Sequence, residues 1–199
     1  MGLKFLPFSM YAEGFVKPED IDVLESYINE DILNISYDPI ESEIHNFFTT
    51  SPGHGKSNDN IDWSKYKKIF LPYIENFITT LTDNVETLQL KFYLNLCQKN
   101  SFIAPHVDNT TGKTSFMMLY CPQKTESNPR FTTYLTSEKY HQTFSKFEKM
   151  PMIDEPFVNL MHEKGKYYIL PANLLHWVTT VTENIDRITL MASIEPKFK

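Results

Sequence analysis

The segment Ala104-Pro105-His106-Val107-Asp108-Asn109 places an imidazole and a carboxylate two residues apart. Side chains alternate between the two faces of an extended segment, so His106 and Asp108 would point to the same side. Two histidines and one carboxylate that leave coordination positions open form a common binding site for Fe(II). The segment therefore predicts two of three metal ligands and leaves the third to be found elsewhere in the chain.

Composition indicates a folded, acidic protein without disulfides. The 199 residues carry a net charge of -6, and 41% of them are hydrophobic. One domain is the default at this length, and the chain is long enough to bury a core without disulfide bonds. No basic run predicts a nucleic-acid surface. Cys97 and Cys121 are spaced neither as a metal pair nor as a disulfide framework, which favours a reducing compartment.

The sequence also lacks the features of a membrane or exported protein. Met1-Gly2-Leu3-Lys4-Phe5 has no charged region followed by a long apolar run, and no apolar stretch is long enough to span a bilayer. We therefore expect a cytoplasmic protein. The oligomeric state is not indicated.

Two amphipathic helices are predicted in the first half of the chain. Pro18-Glu19-Asp20 suits a first helical turn and an apolar stripe follows it, which predicts a helix from Pro18 to Asn34. A stronger stripe runs from Tyr66 to Leu81, with Asp62 as a candidate cap. Pro72 should kink this helix or start a second segment, because proline removes a backbone donor.

From residue 85 onward, short runs rich in aromatic and β-branched residues alternate with turn clusters, which predicts strands. A short apolar run near the N-terminus could be an edge strand or an arm. The eight later strands are predicted at Thr87–Leu96, Phe102–His106, Lys113–Cys121, Arg130–Leu135, Phe157–Met161, Tyr167–Leu170, Leu175–Val181 and Arg187–Ile194, and the N-terminal run is Lys4–Tyr11.

This order of elements predicts a mainly β protein with N-terminal helices. The core would be a double-stranded β-helix (jelly-roll or cupin-like) backed by two or three helices. We expect one domain over residues 1–199, with residues 1–84 as helical support and residues 85–199 as the β-roll core. Ser137 to Glu155 is irregular, and a lid over a site and a surface insertion are equally good interpretations.

His176 is the candidate third ligand, and the strand after it carries a cavity-facing cation. Four alternate residues of that last strand form an apolar face, which should pack on the core or on helices. The other face carries Arg187, Thr189, Met191 and Ser193, a mixture that suits the wall of a cavity. The remaining histidines have no partners at ligand spacing and are interpreted as structural or exposed: His45, His54, His141 and His162.

The distance between His176 and Arg187 suits a small diacid under one arrangement of the strands. If the two strands pair as a hairpin centred near Glu183-Asn184, Arg187 falls opposite Thr180, roughly 13 Å from His176. A long Arg side chain and a short dicarboxylate together could cover that distance. Arg is the natural anchor for such a ligand because it binds carboxylate bidentately.

Taken together, these residues resemble a known signature. His106-Val107-Asp108, a distal His176 and Arg187 eleven residues later resemble the HxD…H…R signature of the Fe(II)/2-oxoglutarate-dependent oxygenases. The segment from Pro171 to Val178, followed by Arg187-Ile188-Thr189-Leu190, is similar to the prolyl 4-hydroxylase-like branch and to small oxygenases of phages and bacteria. The resemblance covers roughly residues 88–194.

The resemblance implies a double-stranded β-helix that binds Fe(II) through His106, Asp108 and His176. It also implies 2-oxoglutarate as co-substrate, with its distal carboxylate on Arg187, and O2 as oxidant. The expected reaction couples oxidation of a substrate to decarboxylation of 2-oxoglutarate to succinate. A peptidyl or free amino acid is the favoured substrate, and another small metabolite and a nucleobase stay open as alternatives.

Further residues could assist the guanidinium in holding 2-oxoglutarate. The candidates are Thr189, which shares its face, and three residues of earlier strands, Tyr93, Asn95 and Tyr120. Each could equally be an ordinary sheet residue. Ser127-Asn128-Pro129-Arg130 stands where many relatives carry a glycine pair, a departure that concerns the substrate side rather than the iron site.

Other interpretations stay open at this point. An isolated His106–Asp108 pair would more often be a satisfied histidine than a metal site, and it is the matching His176 and Arg187 that favour the metal. A cupin-like metal-binding or ligand-binding module could keep the roll without 2-oxoglutarate chemistry. A metal-dependent oxygenase or isomerase could also use this ligand set without 2-oxoglutarate.

Overall fold

The computed structural model describes residues 2–6, 9–34, 47–50, 61–106, 108, 116–125, 129–132, 157–172 and 174–199. These residues form the strands β1 (Gly2–Leu6), β2 (Ser9–Phe15), β3 (Phe47–Thr49), β4 (Val85–Cys97), β5 (Ile103–His106), β6 (Phe116–Cys121), β7 (Pro129–Thr132), β8 (Phe157–Asn159), β9 (Lys166–Pro171), β10 (His176–Val178) and β11 (Arg187–Phe198), and the helices α1 (Pro18–Asn34) and α2 (Ser64–Leu81). Neither of these helices is long and apolar enough to cross a bilayer.

The strands form two antiparallel sheets, as expected for a double-stranded β-helix. The large sheet has seven strands in the order β1-β2-β9-β6-β11-β4-β3, and the small sheet has four in the order β5-β10-β7-β8. From β4 to β7 the chain alternates between the two sheets, with β4 and β6 in the large sheet and β5 and β7 in the small one, and it alternates again from β8 to β11. The predicted fold class is therefore confirmed.

Both predicted helices are present. Helix α1 begins and ends at the predicted residues. Helix α2 continues through Pro72 as one element, so the alternative of a second segment is wrong. The Asp62 carboxylate accepts hydrogen bonds from the backbone N–H (3.0 Å) and the hydroxyl (2.6 Å) of Ser64, the first residue of α2. Asp62 therefore satisfies one of the free N–H groups at the start of the helix, as a capping residue does.

A hydrophobic core joins the helices to one face of the large sheet. Leu190, Ala192 and Ile194 of β11 are fully buried in it, as the alternation along this strand predicted. Burial of each such aliphatic side chain stabilises the fold by roughly 1.5–3 kcal/mol. Their partners from the helices are Leu24, Ile28, Tyr66, Phe70, Ile74, Phe77 and Ile78.

The opposite face of the large sheet carries a second buried cluster, which we call the inner cluster. Its members come from four strands of the large sheet and from the segments that flank β9. They are Tyr93, Met117, Leu119, Cys121, Leu160, Tyr168, Leu170, Ala172, Leu174 and Met191. Since Ala172 and Leu174 lead directly into β10, this cluster connects the large sheet to the strand that carries His176.

The eight strands predicted after residue 85 correspond to β4 through β11, with ends that differ by a few residues. The largest differences are at β10, which is shorter than predicted, and at β11, which extends to Phe198. Residues 113–115 and 133–135, which the predictions included, lie outside the described residues, as do His45, His54, His141 and the segment from Ser137 to Glu155.

The N-terminal part contributes more to the sheet than predicted. The run Lys4–Tyr11 is not one edge strand or arm, because β1 and β2 form a hairpin in which Lys4 pairs with Tyr11. Strand β3 pairs with β4 at the other end of the large sheet. Residues 1–84 thus supply three described strands as well as the two helices, and the division into helical support (1–84) and β core (85–199) stays a prediction. The single domain stays a prediction.

The hairpin between the strands of His176 and Arg187 is also wrong. Strand β10 pairs with β5 and β7 in the small sheet, whereas β11 pairs with β4 and β6 in the large sheet. After β10 the chain forms hydrogen bonds with the β4–β5 turn, between Val181 and Asn100 (2.8 Å) and between Val181 and Ser101 (2.9 Å). Because β5 and β7 occupy both edges of β10, β11 cannot pair with β10.

The helix-packed core makes a direct test of the fold possible. Phe70 is fully buried, and its ring centroid lies 5.1 Å from that of Tyr120 and 6.4 Å from that of Phe92. Phe70→Ala should lower the free energy of unfolding by about 3–5 kcal/mol, because it leaves a cavity between α2 and the sheet. Urea denaturation measures this change. Leu33→Ala, at a side chain that is 86% exposed, is the control and should change stability by less than about 0.5 kcal/mol.

Candidate metal centre

Two imidazoles meet across the small sheet. His106, the last residue of β5, pairs directly with His176, the first residue of β10. Side chains of directly paired residues lie on the same face of an antiparallel sheet. The two ring centroids are accordingly 4.2 Å apart. Pairing of two short strands therefore unites histidines that are 70 residues apart in sequence.

Asp108 completes the group from the residues that follow β5. Its backbone N–H donates to the carbonyl of Ala172 at 3.1 Å, which ties this segment to the turn between β9 and β10. Its two carboxylate oxygens each lie 3.5 Å from an Nε2 atom, one from that of His106 and the other from that of His176. The three ligand atoms lie within 4.8 Å of one another.

These distances suit a shared cation better than direct hydrogen bonds. An N–H···O hydrogen bond spans about 2.7–3.2 Å, so both 3.5 Å contacts are long. Two ligands at roughly 2.0–2.2 Å from one ion are about 3.0–3.5 Å apart. In addition, one carboxylate oxygen of Asp108 is buried and has no hydrogen-bond partner among the described residues. The residues present therefore fit a bound metal ion.

The protonation of His176 is also suited to metal binding. Its Nδ1 donates a hydrogen bond to the carbonyl of Leu174 at 2.9 Å, which leaves the lone pair on Nε2, the atom that faces Asp108. Burial lowers the pKa of His176 and so favours the neutral ring. A neutral imidazole oriented by a backbone carbonyl is the usual arrangement of a metal-binding histidine.

The three side chains of this group differ in their exposure to solvent. The side chain of His106 is 39% exposed, that of Asp108 is 21% exposed and that of His176 is 11% exposed. The centre therefore opens on the side of His106, and a ligand from solvent would approach it there.

Arg187 lies on the face of the large sheet that carries the inner cluster. It pairs with Cys97 of β4, and its residue is only 1% exposed. Its Nη1 is 4.0 Å from the Cys97 sulfur, whereas Nε and Nη2 have no hydrogen-bond partner among the described residues. Two nitrogens of a buried guanidinium, which carry three N–H groups, therefore have no acceptor among the described residues.

Three of the four residues predicted to assist Arg187 lie on the same face of the large sheet. Thr189 pairs with Asn95, and both are buried, with the Thr189 hydroxyl and the Asn95 side-chain oxygen lacking partners among the described residues. Tyr93 pairs with Met191, and burial together with the negative charge of Asp108 raises the pKa of its hydroxyl. Tyr93 is therefore the residue of this face whose hydroxyl lies near Asp108, and Met191, its pairing partner, is four residues or roughly 13 Å from Arg187 along β11.

Tyr120 does not belong to this group, which corrects its assignment as a 2-oxoglutarate-binding candidate. It pairs with Leu190, and both side chains lie in the core beneath the helices, where the Tyr120 ring packs 5.1 Å from that of Phe70. The reason is the alternation along strands: Tyr120 is opposite an even-numbered residue of β11, whereas the cavity face of β11 consists of odd-numbered residues.

Sequence reasoning missed the surroundings of Arg187. The positive charge of Arg187 acts on the pKa values of Cys97, Cys121 and His162, so these three side chains lie close to it. His162, which the sequence predicts to be structural or exposed, is buried, with only 1% of its surface exposed. Nothing in the spacing of these residues indicates that they converge, because they come from three different segments.

Several solved structures have an architecture similar to that of this chain. A prolyl-4-hydroxylase from Pseudomonas putida matches with a TM-score of 0.59 and 11% identity over 94% of this chain and 92% of the other. A prolyl hydroxylase from Trichoplax adhaerens, solved with a hypoxia inducible factor peptide fragment, matches with a TM-score of 0.61 and 10% identity over 93% and 83%. The epimerase SnoN of nogalamycin biosynthesis was solved with Fe3+, alpha ketoglutarate and nogalamycin RO. It matches with a TM-score of 0.65 and 13% identity over 93% of this chain and 78% of the other.

The chain has the fold of the 2-oxoglutarate- and Fe(II)-dependent oxygenases. This confirms, at the level of the fold, the resemblance seen in the sequence. No protein-family model matches the sequence, and the comparison with curated proteins gives no match. The oxygenase fold is therefore recognised from the arrangement of its strands rather than from sequence identity.

Removal of a candidate ligand should weaken metal binding by the His106–Asp108–His176 group. His176→Ala and Asp108→Ala should each weaken Co(II) or Fe(II) binding by roughly 100-fold or more, since even outer groups around a metal contribute 10- to 100-fold. Isothermal titration calorimetry of the metal-free protein measures this. Glu163→Gln removes a carboxylate outside the group and should bind metal normally. Wild-type affinity in the two alanine variants would contradict the assignment.

The two cysteines should be unreactive in the folded protein. Both are buried, and burial raises the pKa of the Cys97 thiol and raises that of Cys121 to about 12. At pH 8 the thiolate fraction of Cys121 would be on the order of one in ten thousand. Ellman's reagent should therefore titrate two thiols only after unfolding in urea. Rapid reaction of either thiol in the native protein would show that the region around Arg187 opens.

Proposed function

We propose that this protein is an Fe(II)- and 2-oxoglutarate-dependent dioxygenase, with His106, Asp108 and His176 as metal ligands and Arg187 as the anchor for the distal carboxylate of 2-oxoglutarate. One observation carries this proposal. A buried guanidinium, two of whose nitrogens have no partner among the described residues, lies on the same sheet face as Tyr93, whose hydroxyl is close enough to Asp108 of the His–Asp–His group for the carboxylate charge to raise its pKa. A metal site alone would not require that cation.

The energetics of Arg187 support an anionic ligand. A buried charge without a partner is strongly destabilising, and loss of one partner of a buried ion pair costs about 3–5 kcal/mol. A carboxylate that accepts hydrogen bonds from Nε and Nη2 together would remove this penalty in the bidentate geometry that Arg prefers. The hydroxyl of Thr189 and the amide of Asn95 on the adjacent positions could complete the binding of such a carboxylate.

The spacing of residues along β11 suits a diacid better than a simple carboxylate. Asp108 acts on the pKa of Tyr93, which pairs with Met191, and Arg187 is four residues from Met191 along β11. An arginine side chain and a five-carbon diacid, extended toward each other, could bridge the resulting separation of roughly 13 Å between backbone positions. The buried side chains of the inner cluster would exclude water along that path.

Each residue has a defined part in this reaction. His106, Asp108 and His176 would hold the metal and leave positions free on the side of His106, while Arg187 would fix the orientation of the co-substrate. Iron and 2-oxoglutarate, when bound with O2, would supply the oxidising chemistry, with succinate and CO2 as co-products. The protein would contribute orientation and a dry cavity.

The substrate we propose is a peptidyl or free amino acid, with hydroxylation as the outcome. Support comes from the prolyl hydroxylases among the structures of similar fold, one of which was solved with a peptide. The centre opens on the side of His106, where a substrate side chain could reach it. SnoN, an epimerase solved with nogalamycin RO, is the reason to test small molecules beside peptides.

A spectroscopic titration tests the co-substrate and its anchor. Under anaerobic conditions, Fe(II) with 2-oxoglutarate should give the weak visible charge-transfer band of the chelate. Arg187→Ala should retain metal binding but weaken 2-oxoglutarate binding by about 100-fold, since hydrogen bonds between charged groups contribute roughly 1.5–3 kcal/mol each. Lys124→Ala removes an exposed cation and should leave both unchanged. Absence of the band in metal-loaded wild-type protein would refute the proposed function.

Succinate release tests the reaction and the substrate class. In air, the protein with Fe(II) and 2-oxoglutarate should release succinate in amounts that rise when an accepted substrate is added. Proline-containing peptides, free amino acids and small polycyclic or aminoglycoside compounds form the panel, and mass spectrometry should find one added oxygen on the accepted compound. Stimulation only by non-peptide small molecules would overturn the amino-acid assignment and leave the oxygenase assignment intact.

A further inference from the structure

Among the described residues, no strand pairs with β11 beside Arg187 on the edge that faces β6. Ladder pairing between β11 and β6 extends from Ile194 opposite Phe116 to Leu190 opposite Tyr120, and β6 ends at Cys121. If this register continued, Ile188 would lie opposite residue 122, which is a proline. Proline has no N–H group, so it cannot donate a ladder hydrogen bond. The first residues of β11 must therefore be held on this side by something other than the β6 backbone.

Two side chains take the place of the missing strand. The backbone carbonyls of Asp186 and Ile188, the residues on either side of Arg187, accept hydrogen bonds from the Nε2 atoms of Gln123 and His162, the latter at 3.1 Å. Carbonyls two residues apart on a strand point to the same side. Gln123 and His162 thus brace the same edge of β11, one before and one after the residue that carries the guanidinium.

His162 is built into this position. It is 1% exposed, and its own carbonyl accepts a hydrogen bond from the N–H of Thr125 at 3.0 Å, which fixes the segment between β8 and β9 against the end of β6. Burial, reinforced by the positive charge of Arg187, lowers the pKa of His162 well below its ordinary value, so the ring is neutral at physiological pH. A carbonyl oxygen only accepts, so the hydrogen of this bond lies on the Nε2 of His162.

We propose that His162 and Gln123 are positioning residues for the co-substrate site, and that their hydrogen bonds to the carbonyls of Ile188 and Asp186 hold the backbone of Arg187 so that its guanidinium is directed at the distal carboxylate of 2-oxoglutarate. This proposal rests on the proposed function. We refer to the two hydrogen bonds as the β11 clamp. Neither residue needs to touch 2-oxoglutarate.

The physical argument is one of preorganisation. The guanidinium is at the end of a long side chain, so a small rotation of its backbone displaces it by more than the tolerance of a bidentate contact. Groups that orient a ligand-binding residue without touching the ligand contribute about 10- to 100-fold in affinity at comparable sites. Loss of the clamp should therefore weaken 2-oxoglutarate binding by that factor while His106, Asp108 and His176, on the other sheet, bind metal as before.

The first test needs neither metal nor co-substrate. Hydrogen–deuterium exchange of the ligand-free protein should show amides 187–190 exchanging roughly tenfold faster in His162→Phe, the factor expected for loss of one hydrogen bond from a ring of similar size. Gln123→Met, at a less buried position, should have a similar effect and covers the case in which His162→Phe does not fold. His162→Gln retains an N–H donor and should restore much of the protection.

Tyr168→Phe is the matched control for this test. It removes the 2.7 Å hydrogen bond from the Tyr168 hydroxyl to the Met161 carbonyl, in the segment that carries His162, but it leaves the clamp in place. Amides 187–190 should exchange at the wild-type rate in this variant. Equal acceleration in Tyr168→Phe and His162→Phe would mean that a loosened segment, not the clamp, controls the strand, and would overturn the proposal. Wild-type exchange in His162→Phe and in Gln123→Met would also overturn it.

The second test connects the clamp to the site. His162→Phe and Gln123→Met should bind 2-oxoglutarate 10- to 100-fold more weakly than wild type in the anaerobic titration and show a raised KM for 2-oxoglutarate with a nearly unchanged kcat at saturation. Their Co(II) affinity should be that of wild type. Unchanged 2-oxoglutarate affinity, with the exchange effect present, would overturn the positioning role. If wild-type protein itself failed to bind 2-oxoglutarate, the proposed function would fall, whereas the exchange experiment would still decide whether the clamp exists.

Discussion

The strict alternation of side chains along β11 is the constraint on which both the core and the candidate site depend. Its even-numbered residues, Leu190, Ala192 and Ile194, are buried under the helices, so the odd-numbered residues have to face the inner cluster. Arg187 and Thr189 are among them. A shift of one residue in the pairing with β4 would exchange the two faces, and the apolar packing against α2 opposes such a shift.

The same constraint creates an energetic conflict, which the proposed ligand resolves. Packing of one face under the helices forces a guanidinium into a buried position on the other face, where two of its nitrogens lack partners among the described residues. Cys97 is a poor substitute for a carboxylate, because its thiol is neutral and its sulfur is 4.0 Å away. A bound carboxylate, such as that of the proposed 2-oxoglutarate, would supply these two nitrogens with the acceptors that they lack among the described residues.

The two histidines of the candidate metal group lie on the small sheet and Arg187 lies on the large one, and this separation has a consequence for how the candidate site is stabilised. The two histidines depend on pairing between β5 and β10, whereas Arg187 depends on β4 and on the side chains of Gln123 and His162. The inner cluster connects the two parts through Met191, Ala172 and Leu174. Damage to the anchor can therefore leave the metal group intact, and the proposed co-substrate would bridge the two sheets.

The sequence by itself determined the elements and the candidate residues, because these follow from local periodicity: helix α1, the strands from β4 to β11, the shared side of His106 and Asp108, and the two faces of β11. Tertiary structure decided which strands pair. The separation of β10 and β11 into different sheets, the addition of β1, β2 and β3 to the large sheet, and the burial of Tyr120 under the helices all depend on contacts between distant segments. The same holds for His162: Pro122 is visible in the sequence as a residue that cannot extend the β6 ladder, but only the fold brings the ring of His162 to the Ile188 carbonyl.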